Sequence, residues 1–388
     1  MRALRAADGR RIRLTTVGRW GGGAGTAAVV LGAAGGLRPL FGVGAAALLA
    51  CAAAWADGRF GRRPGVARAS LPAASFVRGE QPRLRCAPAG RAGAATPAIR
   101  GTLDDALPDG ARTLPLAGRG WTAACPALPR GVWRLGPAVA EYHDPLGLAV
   151  TRTRPSPPGA PFTVRPRTPA VLPWVTEAAA AHALGAARLD TDEAFEIHGL
   201  RPYAPGDDPR LLDWRGTLRT GAFHVRERRG GGSAPAAVLL DTAAPDGEAF
   251  ETAVDCAAAV ALSVLRLGLP VTLAGLGGAP RLATPGAEAA AGVLDLLARV
   301  TPRQDTSTTA LARLAAAVQN GALAVLATTR DPALWRPALS ALSAHRATVI
   351  CLHAVPPGPA PSGPRRYAGF RVLRITSVED LADMPLGR

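Results

Sequence analysis

Near the N-terminus two apolar stretches lie back to back. Residues 18–37 (GRWGGGAGTAAVVLGAAGGL) hold one charge, Arg19, at their edge, and residues 40–56 (LFGVGAAALLACAAAWA) hold none. Each is about long enough to cross a hydrocarbon core as a helix. Their Gly and Ala content suits two helices in close contact, and Arg38-Pro39 reads as the tight turn between them. Arg10, Arg11 and Arg13 precede the pair, and Arg59, Arg62 and Arg63 follow it. Residues 1–68 carry eleven arginines against Asp8 and Asp57, so net +9 of the chain's +16 flanks this hairpin. By the positive-inside rule both ends face the cytoplasm, and the globular remainder with them. Two other readings compete: a buried Ala-rich hairpin in a soluble protein, or a secretory signal with Arg10-Arg11 as a twin-Arg element and cleavage in the run 52–56. The second fits poorly, because two apolar stretches broken by Arg-Pro are not one short apolar region.

With 388 residues the chain has room for two modest soluble domains besides the membrane segment. Aromatic residues are only 5% of a chain that is 48% hydrophobic, so its cores are built from Ala, Val and Leu. All 45 basic residues are arginine. The simplest source of that bias is a GC-rich genome. The missing lysine excludes a Walker A phosphate loop and a Schiff-base lysine. Cys51, Cys86, Cys125, Cys256 and Cys351 form no CxxC and have no His at metal-ligand spacing. Cys86 and Cys125 could pair only in an oxidising compartment.

The pattern defines four regions. Residues 1–66 are the Arg-rich N-terminus and the hairpin, with helices at about 18–37 and 40–56. Residues 67–152 break into short alternating pieces separated by Gly and Pro, as in a small β-sandwich-like domain. There His143-Asp144 reads as a turn before Pro145 rather than a catalytic dyad. Residues 153–233 hold a Pro-rich linker, a short helix-like piece (TEAAAAHALGAAR) and a polar-aromatic run. Residues 234–388 alternate strand and helix: APAAVLLD, FETAVDCAAAVALSVLRLG, PVTLAGLGG, GAEAAAGVLDLLARV, STTALARLAAAVQNG, ALAVLATT, DPALWRPALSALSA, ATVICLHAV and FRVLRITS. Such alternation predicts an α/β fold with a doubly wound, mostly parallel sheet.

The polar-aromatic run, FEIHGLRPYAPGDDPRLLDW, spans 195–214. Arg201, Tyr203, Gly206, Asp207, Asp208, Arg210, Asp213 and Trp214 crowd it. Three readings are open. It is a structural clasp, with a turn at 205–209, Arg201 and Arg210 pairing with Asp208 and Asp213, and Trp214 as an anchor. It is a docking surface, since Arg, Tyr and Trp are common interface anchors. Or its aspartates form a hydrolytic site, against which stands the lack of a nucleophile and of a Ser/His/Asp constellation. The tail HVRERRGGG shows no aromatic-basic interleaving, and no nucleic-acid partner is expected.

Arg201-Pro202-Tyr203, Gly206-Asp207-Asp208-Pro209-Arg210 and Leu212-Asp213-Trp214 resemble the signature of a bacterial family, domain of unknown function 58. Its layout is similar: membrane hairpin, β-rich segment, signature, then a von Willebrand factor A-like domain. The resemblance implies a MoxR-type AAA+ ATPase as partner. In the von Willebrand A fold the first strand ends in Asp-x-Ser-x-Ser, which holds a divalent cation through oxygen ligands. Here Asp241 and Thr242 are present, but Ala243 and Pro245 replace the serines. Thr306, Thr308 and Asp331 are the later candidates. No cofactor is expected; Mg²⁺, if held at all, would rest on Asp241 and Thr242. The resulting expectation is a non-enzymatic, membrane-anchored scaffold or adaptor, working with the ATPase in a chaperone-like or envelope-assembly role. The alternative is a metal-dependent binding protein or hydrolase with a degenerate metal site.

Overall fold

The computed structural model describes residues 10–61, 63–91, 95–107, 112–169, 172–175, 178, 197–203, 212–228, 236–243, 247–275, 280–303, 323–344, 348–356, 365–367 and 370–382. The chain divides into two compact units, Met1–Arg165 and Pro166–Arg388.

In the first unit β1 (Arg11–Leu14) leads into α1 (Thr16–Ala34), and α2 (Arg38–Phe60) leads back to β2 (Val66–Ser70). Then come β3 (Ser75–Val77), β4 (Arg83–Pro88), β5 (Ala98–Asp105), β6 (Thr113–Arg119), β7 (Thr122–Ala124), β8 (Gly131–Leu135), β9 (Val139–His143), β10 (Ala149–Arg152) and β11 (Pro161–Arg165). Among the described residues they form one eleven-stranded sheet, ordered β1-β10-β9-β5-β6-β7-β4-β2, with β8 joined to β5 and β11 joined to β8 and β3. Period-2 sequences explain it: β4 exposes Arg83 and Arg85 and buries Leu84 and Cys86. Leu84, Ile99, Leu103, Leu116, Trp133 and Tyr142 meet in a single core. Asp144 closes the β9–β10 turn, its carboxylate accepting from the Leu146 N–H at 2.9 Å and from the Ala149 N–H. Cys86 and Cys125 are both free thiols. Burial pushes each up to about 11.

The arginines that flank the hairpin on its N-terminal side lie on an edge strand, with Arg11 opposite Arg152 and Arg13 opposite Val150. Two expectations need correction. The β-rich region does not end at 152, because β11 pairs with β8 and β3, and the boundary falls after Arg165. Arg38-Pro39 is not the turn between the helices but the start of α2, where a proline's missing N–H costs no hydrogen bond. The turn is Gly35–Leu37, and Gly36 takes φ 64°, a left-handed conformation that suits glycine.

The two helices lie against each other through glycines. A Cβ at Gly32 would sit 2.5 Å from the Phe41 nitrogen, and one at Gly44 would sit 2.6 Å from the Gly25 oxygen. Their outer surfaces leave Trp20, Leu31, Phe41, Val43 and Leu49 exposed. By length and composition α2 is long and apolar enough to cross a membrane. The root of the hairpin is fixed: Thr15 caps α1 by accepting from the Gly18 N–H at 3.0 Å, and its hydroxyl donates to the Gly147 carbonyl at 2.6 Å.

In the second unit β12 (Ile197–Pro202) pairs antiparallel with β13 (His224–Arg228), and α3 (Trp214–Thr220) lies between them in sequence. The main sheet uses β14 (Ala236–Leu240), β15 (Val271–Ala274), β16 (Arg281–Ala283), β17 (Leu323–Thr328), β18 (Thr348–Ala354), β19 (Arg365–Tyr367) and β20 (Phe370–Ile375). Its order is β16-β15-β14-β17-β18-β20-β19. The inner strands are parallel, and β16 and β19 close the edges antiparallel. Helices are α4 (Glu248–Arg266), α5 (Ala289–Ala298) and α6 (Arg336–Ala344), with 3-10 turns at Pro332–Trp335 and Val378–Leu381. Val238, Leu240, Val325 and Leu352 face α4 and α5; Leu239, Leu326 and Cys351 face Trp335 and Leu339. Both faces of the sheet are therefore covered, as a mostly parallel sheet requires.

Helix α4 is buried along nearly its whole length because a second layer covers it. Leu172, Trp174 and Val175 pack on it with Val378 and Leu381. The Trp174 indole donates to the Leu381 carbonyl at 3.0 Å, and buried Asp255 accepts from the Arg167 N–H at 2.8 Å. The expected helix at STTALARLAAAVQNG and the bulk of the helix-like piece around His182 lie outside the described residues.

Candidate functional site

Open α/β sheets present their chemistry at the carboxyl ends of the strands. Here β14 ends at Asp241, 3% exposed, and β17 ends at Thr328, fully buried. Their backbones are joined, the Asp241 N–H donating to the Ala327 carbonyl at 2.9 Å. The Thr328 hydroxyl donates to Asp241 Oδ2 at 2.7 Å and accepts from the Arg330 N–H at 3.0 Å. Arg330 then turns back on the carboxylate, Nε donating to Oδ2 at 2.7 Å and Nη2 to Oδ1 at 3.0 Å. The Ala243 N–H adds a bond to Oδ1 at 3.0 Å. The guanidinium lies over the Trp335 ring, 5.0 Å from its centre. Two parallel N–H···O bonds from a planar fork are the strongest arrangement an arginine makes with a carboxylate.

Both Asp241 oxygens are thus fully engaged by protein donors. Thr242 is turned away, its hydroxyl donating to the Gly275 carbonyl at 3.1 Å and its own carbonyl accepting from the Arg303 N–H at 2.7 Å. Gly275 takes φ 87°, and a Cβ there would lie 1.9 Å from the Leu240 oxygen, so glycine is needed for this close approach. These residues do not fit a hard divalent cation, which wants several oxygen ligands. The positive charge opposite Asp241 is supplied by Arg330. Among the described residues no cluster of three or more His, Cys, Asp or Glu is placed to hold a metal. Asp331, the later candidate, caps the 3-10 turn through the Ala333 N–H at 2.9 Å. Thr306 and Thr308 lie outside the described residues. Arg330 escapes sequence reasoning, because nothing local tells that it reaches back 89 positions to Asp241.

The polar-aromatic run is a second locus. Arg201 sits in β12 opposite Val225. The Tyr203 N–H donates to the Phe223 carbonyl at 2.9 Å, and the Asp213 N–H donates to the His224 carbonyl at 2.9 Å, so Tyr203 and Asp213 meet the same ribbon. Gly206, Asp207, Asp208 and Arg210 lie outside the described residues. Trp214 opens α3 and is 59% exposed. Leu218, four positions on and therefore beside it on the helix, is 86% exposed. Tyr203 is edge-on to Phe223, ring centres 6.4 Å apart, and Phe223 is 55% exposed. Phe223 and Leu218 do not belong to the signature, and sequence reasoning passed over both.

The second unit is thus a mixed α/β domain whose sheet pole is closed by an internal ion pair and whose preceding ribbon displays aromatic side chains. Residues 199–358 match the family model described as "Protein of unknown function DUF58". The match starts within β12 and takes in the signature and Asp241. No curated protein and no solved structure matches the chain.

Proposed function

We propose that this protein is a membrane-anchored scaffold or adaptor that presents a von Willebrand A-like domain to a partner, and that the partner is a MoxR-type AAA+ ATPase. The observation that carries the docking role is the exposed set Tyr203, Phe223, Trp214 and Leu218. Large apolar side chains left in water on one short ribbon and helix are a mark of a binding surface. Trp214, exposed as it is, gives no support to the clasp reading of the run. The strand order β16-β15-β14-β17-β18 corresponds to the 3-2-1-4-5 part of the doubly wound order, with β20 next and the short β19 beyond it at the edge, and supports the von Willebrand A-like reading. The family match supports the ATPase as partner only through the resemblance stated above. Arg330 stands against the alternative of a metal-dependent binding protein or hydrolase, since it occupies both oxygens such a site would need.

The anchor is a hairpin that crosses twice, with both globular units in the cytoplasm. Topology supports the even number. The strand before α1 and the strand after α2 join the same sheet, so the chain enters and leaves on one side. If α2 crosses, α1 must cross as well. The flanking arginines support the cytoplasmic side.

The test is capture of the tagged full chain from native membranes by cross-linking, with Trp214→Ala/Phe223→Ala as control. Both side chains are exposed, so the control keeps its melting temperature. An AAA+ ATPase recovered with the wild type and reduced at least about ten-fold in the control is expected, the size of a lost hot spot. No ATPase in either sample refutes the partner, and equal recovery moves the docking surface elsewhere.

A further inference from the structure

Strand register places an unusual set of side chains together on the first unit's sheet. Directly opposed residues of antiparallel strands point to the same face. Arg11 opposes Arg152, Arg152 opposes Glu141, Glu141 opposes Ala98, and Ala98 opposes Arg119. Arg13, His143 and Arg100, each two positions along, share that face. The other face carries Ile12, Tyr142, Ile99 and Leu116, which form the core. The outward face of β1-β10-β9-β5-β6 is therefore a band of arginine.

Its charge is poorly compensated. Buried Glu141 accepts from Arg100 Nε and Arg152 Nε, both at 2.6 Å, and is shared between them. Among the described residues no ion pair involves Arg11, Arg13 or Arg119. Arg11 and Arg152 are directly opposed like charges, a pairing that destabilises a sheet unless an anion lies between. A groove of about 740 Å³ lies at the β5-β6 end of this band, lined among others by Ala98, Arg100, Arg119 and His143.

The band is continuous with the hairpin. β1 runs straight into α1, so Arg11 lies at most roughly 17 Å from the first helical residue, Thr16, by strand rise. Trp20, four residues into α1, and Trp55, five residues before the end of α2, are exposed at matching depths. Aromatic rings at that level mark the membrane–water interface. The helix ends and the start of the arginine band then fall at headgroup depth.

The geometry points to the outward face of β1-β10-β9-β5-β6 as a binding surface for the phosphates of anionic lipid headgroups, with the groove at Arg100, Arg119 and His143 taking one headgroup. This rests on the membrane reading of the hairpin. It adds to it a lipid selectivity that an apolar hairpin alone does not confer.

The experiment uses the full chain in neutral detergent and follows its melting temperature. The probes are short-chain phosphatidylglycerol, short-chain phosphatidylcholine, inorganic phosphate and a DNA oligonucleotide. An Arg11→Gln/Arg13→Gln/Arg119→Gln variant runs in parallel, all three being exposed side chains. Phosphatidylglycerol is expected to act at concentrations at least about ten-fold lower than phosphatidylcholine or inorganic phosphate. Each arginine near an anionic surface is worth about five-fold, so the variant should lose on the order of a hundred-fold. The response should weaken with salt. Equal action of inorganic phosphate makes this a free-phosphate site and overturns the lipid assignment. A response to the oligonucleotide alone overturns it in favour of nucleic acid, and no response to any probe overturns it outright. Alkaline-washed membranes separate the two readings. Wild type and variant both retained in them, without a phosphatidylglycerol response, sink only this inference; loss of the wild type from them sinks the membrane reading.

Discussion

Arg330 decides what the pole of the α/β sheet can do. An ion pair with one partner 3% exposed is costly to break from one side, because it leaves a buried charge uncompensated. Arg330→Ala is expected to lower unfolding free energy by about 3 kcal/mol, read from denaturant midpoints. Asp241→Asn/Arg330→Gln should cost less than the sum of its single changes. Neither Mg²⁺ nor a chelator should move the wild-type melting temperature; a rise of several degrees with Mg²⁺ would show that the fork opens for metal. His353 gives a pH signal. Burial lowers its pKa, a hydrogen bond to the Thr329 backbone opposes this, Arg374 adds to the lowering and Asp331 opposes it. The fold therefore favours the neutral ring, while the unfolded chain takes up a proton near pH 6.5. Stability from this residue is complete above about pH 6.5 and is lost as pH falls towards the lower folded value. The melting temperature should fall between pH 7.5 and 5.5, and His353→Asn should flatten that slope. Asp241 was legible in the sequence as the end of a buried strand. Its partner was not, since a contact across 89 positions leaves no local pattern.

At the scale of elements, what the sequence revealed depended on length and periodicity. Helix α4, with its long apolar pattern ending near Gly268, was readable almost to the residue, as were β14, β17, β18 and β20. The edge strands β16 and β19 were not, because three residues are too few to show a period. β1 was hidden for another reason: in RIRL the outward arginines looked like membrane flank, and Ile12 and Leu14 are too few to reveal the alternation. The hairpin's small residues were legible as close packing, and the structure places Gly25, Gly32 and Gly44 at the contact. Gly44→Val should press the helices apart and cost about 1–3 kcal/mol, as overpacking does. Gly42→Val, where no atom lies within 4 Å of the added Cβ, is the matched control. A lower melting temperature in detergent for the first and little change for the second is the expected outcome.

For the whole molecule, the division at Arg165 predicts that residues 166–388 fold alone, with one cooperative transition in urea and a melting temperature close to that of the second unit in the full chain. A fragment beginning at residue 66 should fare worse, since it removes β1 from the edge beside β10. The boundary at Arg165 was not readable from composition, because the Pro-rich stretch that suggests a linker also contains β11. The central claim is that the first unit's sheet roots a hairpin crossing the membrane twice, with the globular units inside. Impermeant maleimide labelling tests it most directly, with one cysteine added at Leu37, in the turn, or at Ser70, exposed on β2, each in a Cys51→Ala background in which the remaining Cys86, Cys125, Cys256 and Cys351 are buried. The predicted result is labelling of Leu37→Cys from outside intact cells and of Ser70→Cys only after lysis. Labelling of both only after lysis, or of both from outside, would contradict a cytoplasm-facing protein held by a two-pass anchor.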